Sequence, residues 1–152
     1  MLNRRDLLTH ATKVAGMLAA AGLLPQVAYA AFNAPAFEAK TMAELMKVLG
    51  GSTPTESKDV TITAPDIAEN GAVVPVSVAT ALPGVKRLLV LVEKNPSLMA
   101  AMFEVSDAVD ANFTTRVKMG QSSNVYAVAM LADGRVLFAL KEVKVTLGGC
   151  GG

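Results

Sequence analysis

The chain has 152 residues, just over half of them apolar, with 14 Lys and Arg against 13 Asp and Glu. A near-neutral chain without a basic cluster has no electrostatic grip on nucleic acid. One cysteine, Cys150, and one histidine, His10, exclude a CxxCH haem attachment and the usual zinc ligand sets, and no cofactor is expected.

Residues 1–30 have the features of an export leader. Asn3-Arg4-Arg5-Asp6-Leu7-Leu8 is a twin-arginine pattern, Val14 to Leu24 is mostly Ala, Leu, Gly and Met, and Ala28-Tyr29-Ala30 has the A-x-A form of a cleavage site. The apolar stretch is shorter than the roughly 20 residues of a membrane span. A Tat signal peptide is therefore expected, with Arg4 and Arg5 as the export signal and a periplasmic, membrane-free mature chain from Ala31. The competing expectation is an uncleaved amphipathic anchor. Removing the leader takes the net charge from +1 to −1 and takes His10 with it, so no Cys–His catalysis remains. About 122 residues are left, enough for one domain with one core.

Phe32 to Ala39 begins as a leader segment containing Pro35. Met42, Leu45, Met46 and Leu49 then fall at i, i+3, i+4 and i+7, which predicts a helix over 37–49 lying across a sheet. Gly50-Gly51 supplies its stop. Ser52 to Ser57 reads as a loop. Val60 and Ile62 alternate with Thr61 and Thr63 in a first strand, and Asp66 to Gly71 reads as a turn. Val74, Val76 and Val78 alternate next, where Pro75 points to an edge or a bulge. After a turn at Pro83-Gly84, the run Leu88-Leu89-Val90-Leu91-Val92 predicts a strand covered on both faces. Leu98 to Val105 reads as a strand in preference to a short helix. Phe113 to Met119 alternates, Gly120 to Ser123 turns, and Val125 to Leu131 is a further strand. Asp133-Gly134 is a hairpin signal into the last strand, Arg135 to Leu147.

That last strand changes parity. Val136, Phe138 and Leu140 share one face, whereas Val143, Val145 and Leu147 share the other. Either a bulge lies near Lys141-Glu142 or the strand is covered on both sides. Seven or so short strands with frequent turns predict a mainly β, immunoglobulin-like antiparallel β-sandwich over 31–147, preceded by the helix. The chain lacks the Cys-Trp-Cys core of true immunoglobulin domains. Its apolar excess predicts either a partner over one sheet face or edge, or simply a well-filled core.

Chemistry is confined to the tail Gly148-Gly149-Cys150-Gly151-Gly152. Free cysteine is usually a small buried hydrophobe, but here the flanking residues have no side chains to bury it. Three residues beyond Leu147, the thiol reaches roughly 10 Å past the strand. Gly148, Gly149, Gly151 and Gly152 thus form a thin swinging arm that fits a narrow pocket of another protein. The plain alternative is a disordered tail with an incidental thiol, although an exposed thiol on an exported chain is a liability that needs a reason. A free thiol ionises at a pKa of about 8.5 unless cations lower it. None adjoins Cys150, so a passive thiol activated within a partner's pocket is expected. Asp107 and Asp110 read as a solvated loop, and Lys141 and Lys144 as surface charge with a lesser chance of a docking role. Two other functions compete with the carrier: an exported redox or structural sandwich whose cysteine forms an intermolecular disulfide, and a binding sandwich with an inert tail.

The tail Val143-Lys144-Val145-Thr146-Leu147-Gly148-Gly149-Cys150-Gly151-Gly152 resembles that of the SoxY family of the Sox thiosulfate-oxidising system. Ile62-Thr63-Ala64-Pro65-Asp66-Ile67-Ala68-Glu69-Asn70-Gly71, Thr115-Arg116-Val117-Lys118-Met119-Gly120 and the twin-arginine leader resemble it too, so the likeness spans essentially the whole chain. The resemblance implies a periplasmic, non-catalytic carrier that forms a heterodimer with SoxZ. It implies that Cys150 holds the sulfur substrate covalently. By the same resemblance, SoxXA, a haem cytochrome, is expected to join thiosulfate to it as a cysteine S-thiosulfonate, SoxB to hydrolyse off sulfate, and a sulfane dehydrogenase, where present, to oxidise the remaining persulfide.

Overall fold

Two capped helices precede the sheets. The computed structural model describes residues 33–146 together with Leu8, His10, Thr12, Lys13 and Met17, and two units divide at Phe32 and Asn33. In the first unit the five described residues are helical, and Thr12 Oγ1 donates to the Leu8 carbonyl at 2.9 Å. Among the described residues no helix is long and apolar enough to cross a membrane.

In the second unit, α1 (Ala34–Glu38) starts at Asn33, whose side chain accepts from the Ala36 amide, with proline in its first turn. Helix α2 (Met42–Leu49) starts at Thr41 with a full capping box and ends at Gly50, held at φ 73°. The single helix expected over 37–49 is therefore two. The apolar spacing runs through the break, but Thr41 is extended and its hydroxyl takes the Glu44 amide, which restarts the helix there.

Nine strands follow: β1 (Thr55–Glu56), β2 (Val60–Thr63), β3 (Ile67–Ala68), β4 (Val74–Thr80), β5 (Val85–Val92), β6 (Met99–Glu104), β7 (Asn112–Val117), β8 (Ser123–Leu131) and β9 (Val136–Val145). One sheet has the order β1-β9-β8-β5-β6, with β3 also on β9; the other is β2-β4-β7. The seven longer strands pair antiparallel, while β1 and β3 run parallel to β9. The result is a mainly β, immunoglobulin-like sandwich. Strands β1 and β3 fall where a loop and a turn were expected, because two residues carry no periodicity and only the edge of β9 gives them form.

The larger sheet is covered on both faces. Leu88, Val90 and Val92 of β5 join Val125 and Ala127 of β8 and Val74, Val76 and Val78 of β4 in the core between the sheets. Leu89, Leu91, Val128 and Met130 face the other way, onto Ala36, Leu45 and Met46 of the helices. Burying each such Val or Leu contributes about 1.5–3 kcal/mol. The parity change in β9 has the same cause. Its pairing with β8 runs without a register shift from Val136 to Val143, so there is no bulge. Val136 and Phe138 pack on the helix side, whereas Leu137, Ala139, Val143 and Val145 pack on the second sheet. Pro75 lies in the middle strand of its sheet, but β2 stops opposite Ser77, so β4 has a neighbour on only one side there.

Candidate functional site

Cys150 and its glycines Gly148, Gly149, Gly151 and Gly152 lie outside the described residues, as do Leu147, Arg4 and Arg5. What the structure describes is the stretch of chain that runs up to the cysteine-bearing segment, and that stretch is anchored on both sides. On one side, the Lys144 amide donates to the Asp66 carbonyl at 2.9 Å and the Thr146 amide to the Ala68 carbonyl at 3.1 Å. On the other, the Val145 amide donates to Ser122 Oγ at 2.9 Å. Thr146 Oγ1 adds a 3.4 Å bond to the Glu69 carbonyl. Val143, just before these ties, is completely buried.

The loops around this stretch hold one another. The Met119 amide donates to the Gly71 carbonyl at 2.7 Å, and Met119 itself is fully buried. Asn95 Nδ2 donates to the Lys118 carbonyl at 2.7 Å. Buried Ser123 accepts from the Lys94 amide at 3.0 Å and donates to the Asn124 carbonyl at 2.9 Å. Asn70 Oδ1 accepts from the Ala72 amide at 2.9 Å, a local side-chain turn. The stretches 62–71, 115–120 and 143–146, far apart in sequence, thus meet at one end of the sandwich.

Lys141 belongs to this anchorage. Its ammonium donates to the Ala64 carbonyl at 2.6 Å and lies 2.9 Å from Asp66 Oδ1. It is neither a free docking charge nor idle surface. Lys144 remains exposed at this end, as do Ile67 and Val73. Sequence reasoning missed Ser122 and the partnership of Ala64 and Asp66 with Lys141. The stretch 62–71 was legible as a motif, but its link to the tail is a tertiary contact that no local pattern announces.

A depression of about 940 Å³ opens at the opposite end of the sandwich. Lys58, Asp59, Leu82, Asp107, Val109 and Asp110 are among its walls, and it is shallow and open to solvent. Asp107 and Asp110 are exposed, as expected of a solvated loop. Among the described residues no group of three His, Cys, Asp or Glu is placed to hold a metal ion. The shifted acids and phenol have structural causes. Backbone bonds from Lys40 and Thr41 hold the Glu44 carboxyl below its ordinary range. The Arg135 amide and guanidinium do the same for Asp133. Burial, reinforced by the nearby Glu93 carboxylate, raises Tyr126.

Comparison with known proteins agrees with this geometry. The family model described as "Sulfur oxidation protein SoxY" matches residues 45–150. The sulfur carrier protein SoxY from Chlorobium limicola f thiosulfatophilum is similar in structure at a TM-score of 0.62 and 35% identity, over 69% of this chain and 94% of that one. A superoxide reductase (neelaredoxin) from Ignicoccus hospitalis shares the fold alone, at a TM-score of 0.51 and 20% identity over 57% of this chain and 78% of that one. No curated protein matches the chain. A family match that takes in both Lys141 and Cys150, together with a structural likeness over nearly all of the Chlorobium protein, carries the conclusion: the chain belongs to the SoxY family of sulfur oxidation proteins.

Proposed function

We propose that this chain is a periplasmic carrier that holds the intermediates of thiosulfate oxidation covalently on Cys150. The observation that carries the reading is the placement of the single cysteine four residues beyond Thr146, which is the last described residue and is tied to the sandwich. The family match extends to that cysteine, and the similar Chlorobium structure is of a sulfur carrier protein.

The chemistry needs little from the chain itself. Joining the Cys150 thiolate to thiosulfate forms a sulfur–sulfur bond and releases two electrons, which pass to the haem cytochrome SoxXA. Water then cleaves the bond between the outer sulfane sulfur and the sulfonate without a redox change, giving sulfate and a persulfide on Cys150; this is the SoxB step. A sulfane dehydrogenase oxidises the persulfide sulfur. The thiolate is the reactive form, and each enzyme's pocket supplies the activation, so the chain is a non-catalytic subunit with SoxZ as its heterodimer partner. Arg4 and Arg5 direct it through the Tat route.

The test is intact-protein mass spectrometry after incubation with thiosulfate and the periplasmic fraction. A sulfur-containing mass increment is expected on the peptide carrying Cys150. Its absence from both the reconstituted reaction and protein taken from thiosulfate-grown cells would end the reading.

A further inference from the structure

Among the described residues, the outer edge of β9 pairs with a strand in two places and with none between them. Strand β1 pairs with it at Leu137 and Phe138, and β3 at Lys144 and Val145. From Ala139 to Val143 no described strand pairs with that side. Along this gap the chain crosses to the second sheet as β2 and then returns as β3. Lys141 sits at the middle of the gap, and its ammonium reaches both ends of the returning bend. Ala64, whose carbonyl it holds at 2.6 Å, is the first residue after β2; Asp66, whose carboxylate it meets at 2.9 Å, is the last before β3. Asp66 also offers its own carbonyl to the Lys144 amide. A single cation therefore joins the bend to the strand on which the bend must land.

The need for such a tie follows from the length of β3. Two residues of pairing gain few backbone bonds against the entropy of ordering the segment that makes them. Lys141 also departs from a typical solvated lysine, since its side chain is only 32% exposed and its ammonium is committed to named acceptors.

We propose that Lys141 is a positioning residue that clasps β3 to β9 and so sets Thr146 as the origin of the cysteine-bearing tether. The functional consequence rests on the carrier reading above. From Thr146 to Cys150 is four residues, about 13–14 Å fully extended. With the clasp open, Ser122 still holds the Val145 amide and leaves five residues to Cys150; once that single bond also yields, the free run from buried Val143 is seven residues, about 23–25 Å. A longer tether dilutes its own tip, because effective concentration falls as the linker outgrows the span it must cross. The clasp thus fixes the reach of the thiol and, with it, the depth of partner pocket the carrier serves.

Amide hydrogen exchange on the full chain tests the clasp directly. In Lys141→Met, exchange at Lys144 and Thr146 is expected to accelerate about tenfold or more, as for a local opening, while the amides of β5 and β8 keep their protection. Lys141→Arg retains both contacts and restores slow exchange; Asp66→Asn gives a smaller rise at the same two amides. Unchanged exchange at Lys144 and Thr146 in Lys141→Met overturns the proposal, as does a loss of protection spread over the whole sheet in both Lys141→Met and Asp66→Asn. Enzyme-driven loading with thiosulfate supplies the second readout. Lys141→Met raises KM for the carrier with kcat retained, and inserting three glycines after Leu147 in the Lys141 chain reproduces that split. An unaltered chain that never acquires a Cys150 adduct defeats the carrier reading, whereas the exchange result decides the clasp by itself.

Discussion

The two ends of the sandwich are built on different plans. The end where β9 finishes is drawn shut by bonds from Lys144, Val145 and Thr146 to Asp66, Ser122, Ala68 and Glu69. The opposite end splays into an open depression walled by the loops around Leu82 and Asp107 to Asp110. Concavity is the usual guide to a ligand site, and here it lies at the end of the sandwich opposite Thr146, the last described residue. A carrier needs no pocket of its own; it needs a firm origin for the group it presents to others.

The sharpest way to break that comparison is to alter chemistry at each end. Cys150→Ser is expected to abolish the thiosulfate-dependent mass increment and thiosulfate-dependent respiration, while Asp107→Asn combined with Asp110→Asn leaves both at the unaltered level. A double variant at the depression that lost loading would invert the assignment. Packing at the closed end comes next. Met119 is fully buried behind the Gly71 contact, so Met119→Ala should cost about 2–5 kcal/mol in urea unfolding. At the open end, a Cβ on Gly51 would come 2.8 Å from Val136 Cγ2 and 2.9 Å from Met130 Cε. The branched valine yields less readily than the methionine tip, and Gly51→Ala should cost about 1–3 kcal/mol, read in the same unfolding experiment.

Smaller effects sharpen the picture of the anchorage. Ser122→Ala removes the acceptor of the Val145 amide and should cost about 1 kcal/mol, with faster exchange at Val145 itself; a silent Val145 amide would show that β3 alone holds this end of β9. The smallest effect concerns α2. Glu44 has its carboxyl held below the ordinary value of 4.5 by the Lys40 and Thr41 amides. A folded-state pKa below the unfolded one means the contribution is present at neutral pH and lost as the pH falls through the lowered value. Acidification from neutrality should therefore release the Lys40 and Thr41 amides, as seen by NMR, and Glu44→Gln should flatten that pH response.

Much of the body was legible because its physics is local. Leu88 to Val92 announces a strand wrapped on both faces, and the parity change in β9 announces the same once a bulge is set aside. The helix break was legible in principle, since Thr41 and Glu44 have capping-box spacing, but the apolar period at Met42, Leu45, Met46 and Leu49 masks it. Strands β1 and β3 were not legible. Each is two residues long and exists by pairing with a strand about 80 positions later. Lys141 shows the same limit: its sequence neighbours describe a surface lysine, and only the fold supplies Ala64 and Asp66. Pro75 was sound as a warning and misplaced in the sheet, because a middle strand has a free side wherever its neighbour stops short.

The bonds from Lys141 to Ala64 and from Thr146 to Glu69 each span 77 positions. Contacts of such separation are slow to form, since a large loop must close before either bond is made. An incompletely folded chain has the same thiol but no fixed mooring for it. Folding thus acts as a licence: Thr146 gains its bonds to Ala68 and Glu69 only after the early and late strands have met, and a half-made molecule lacks that mooring.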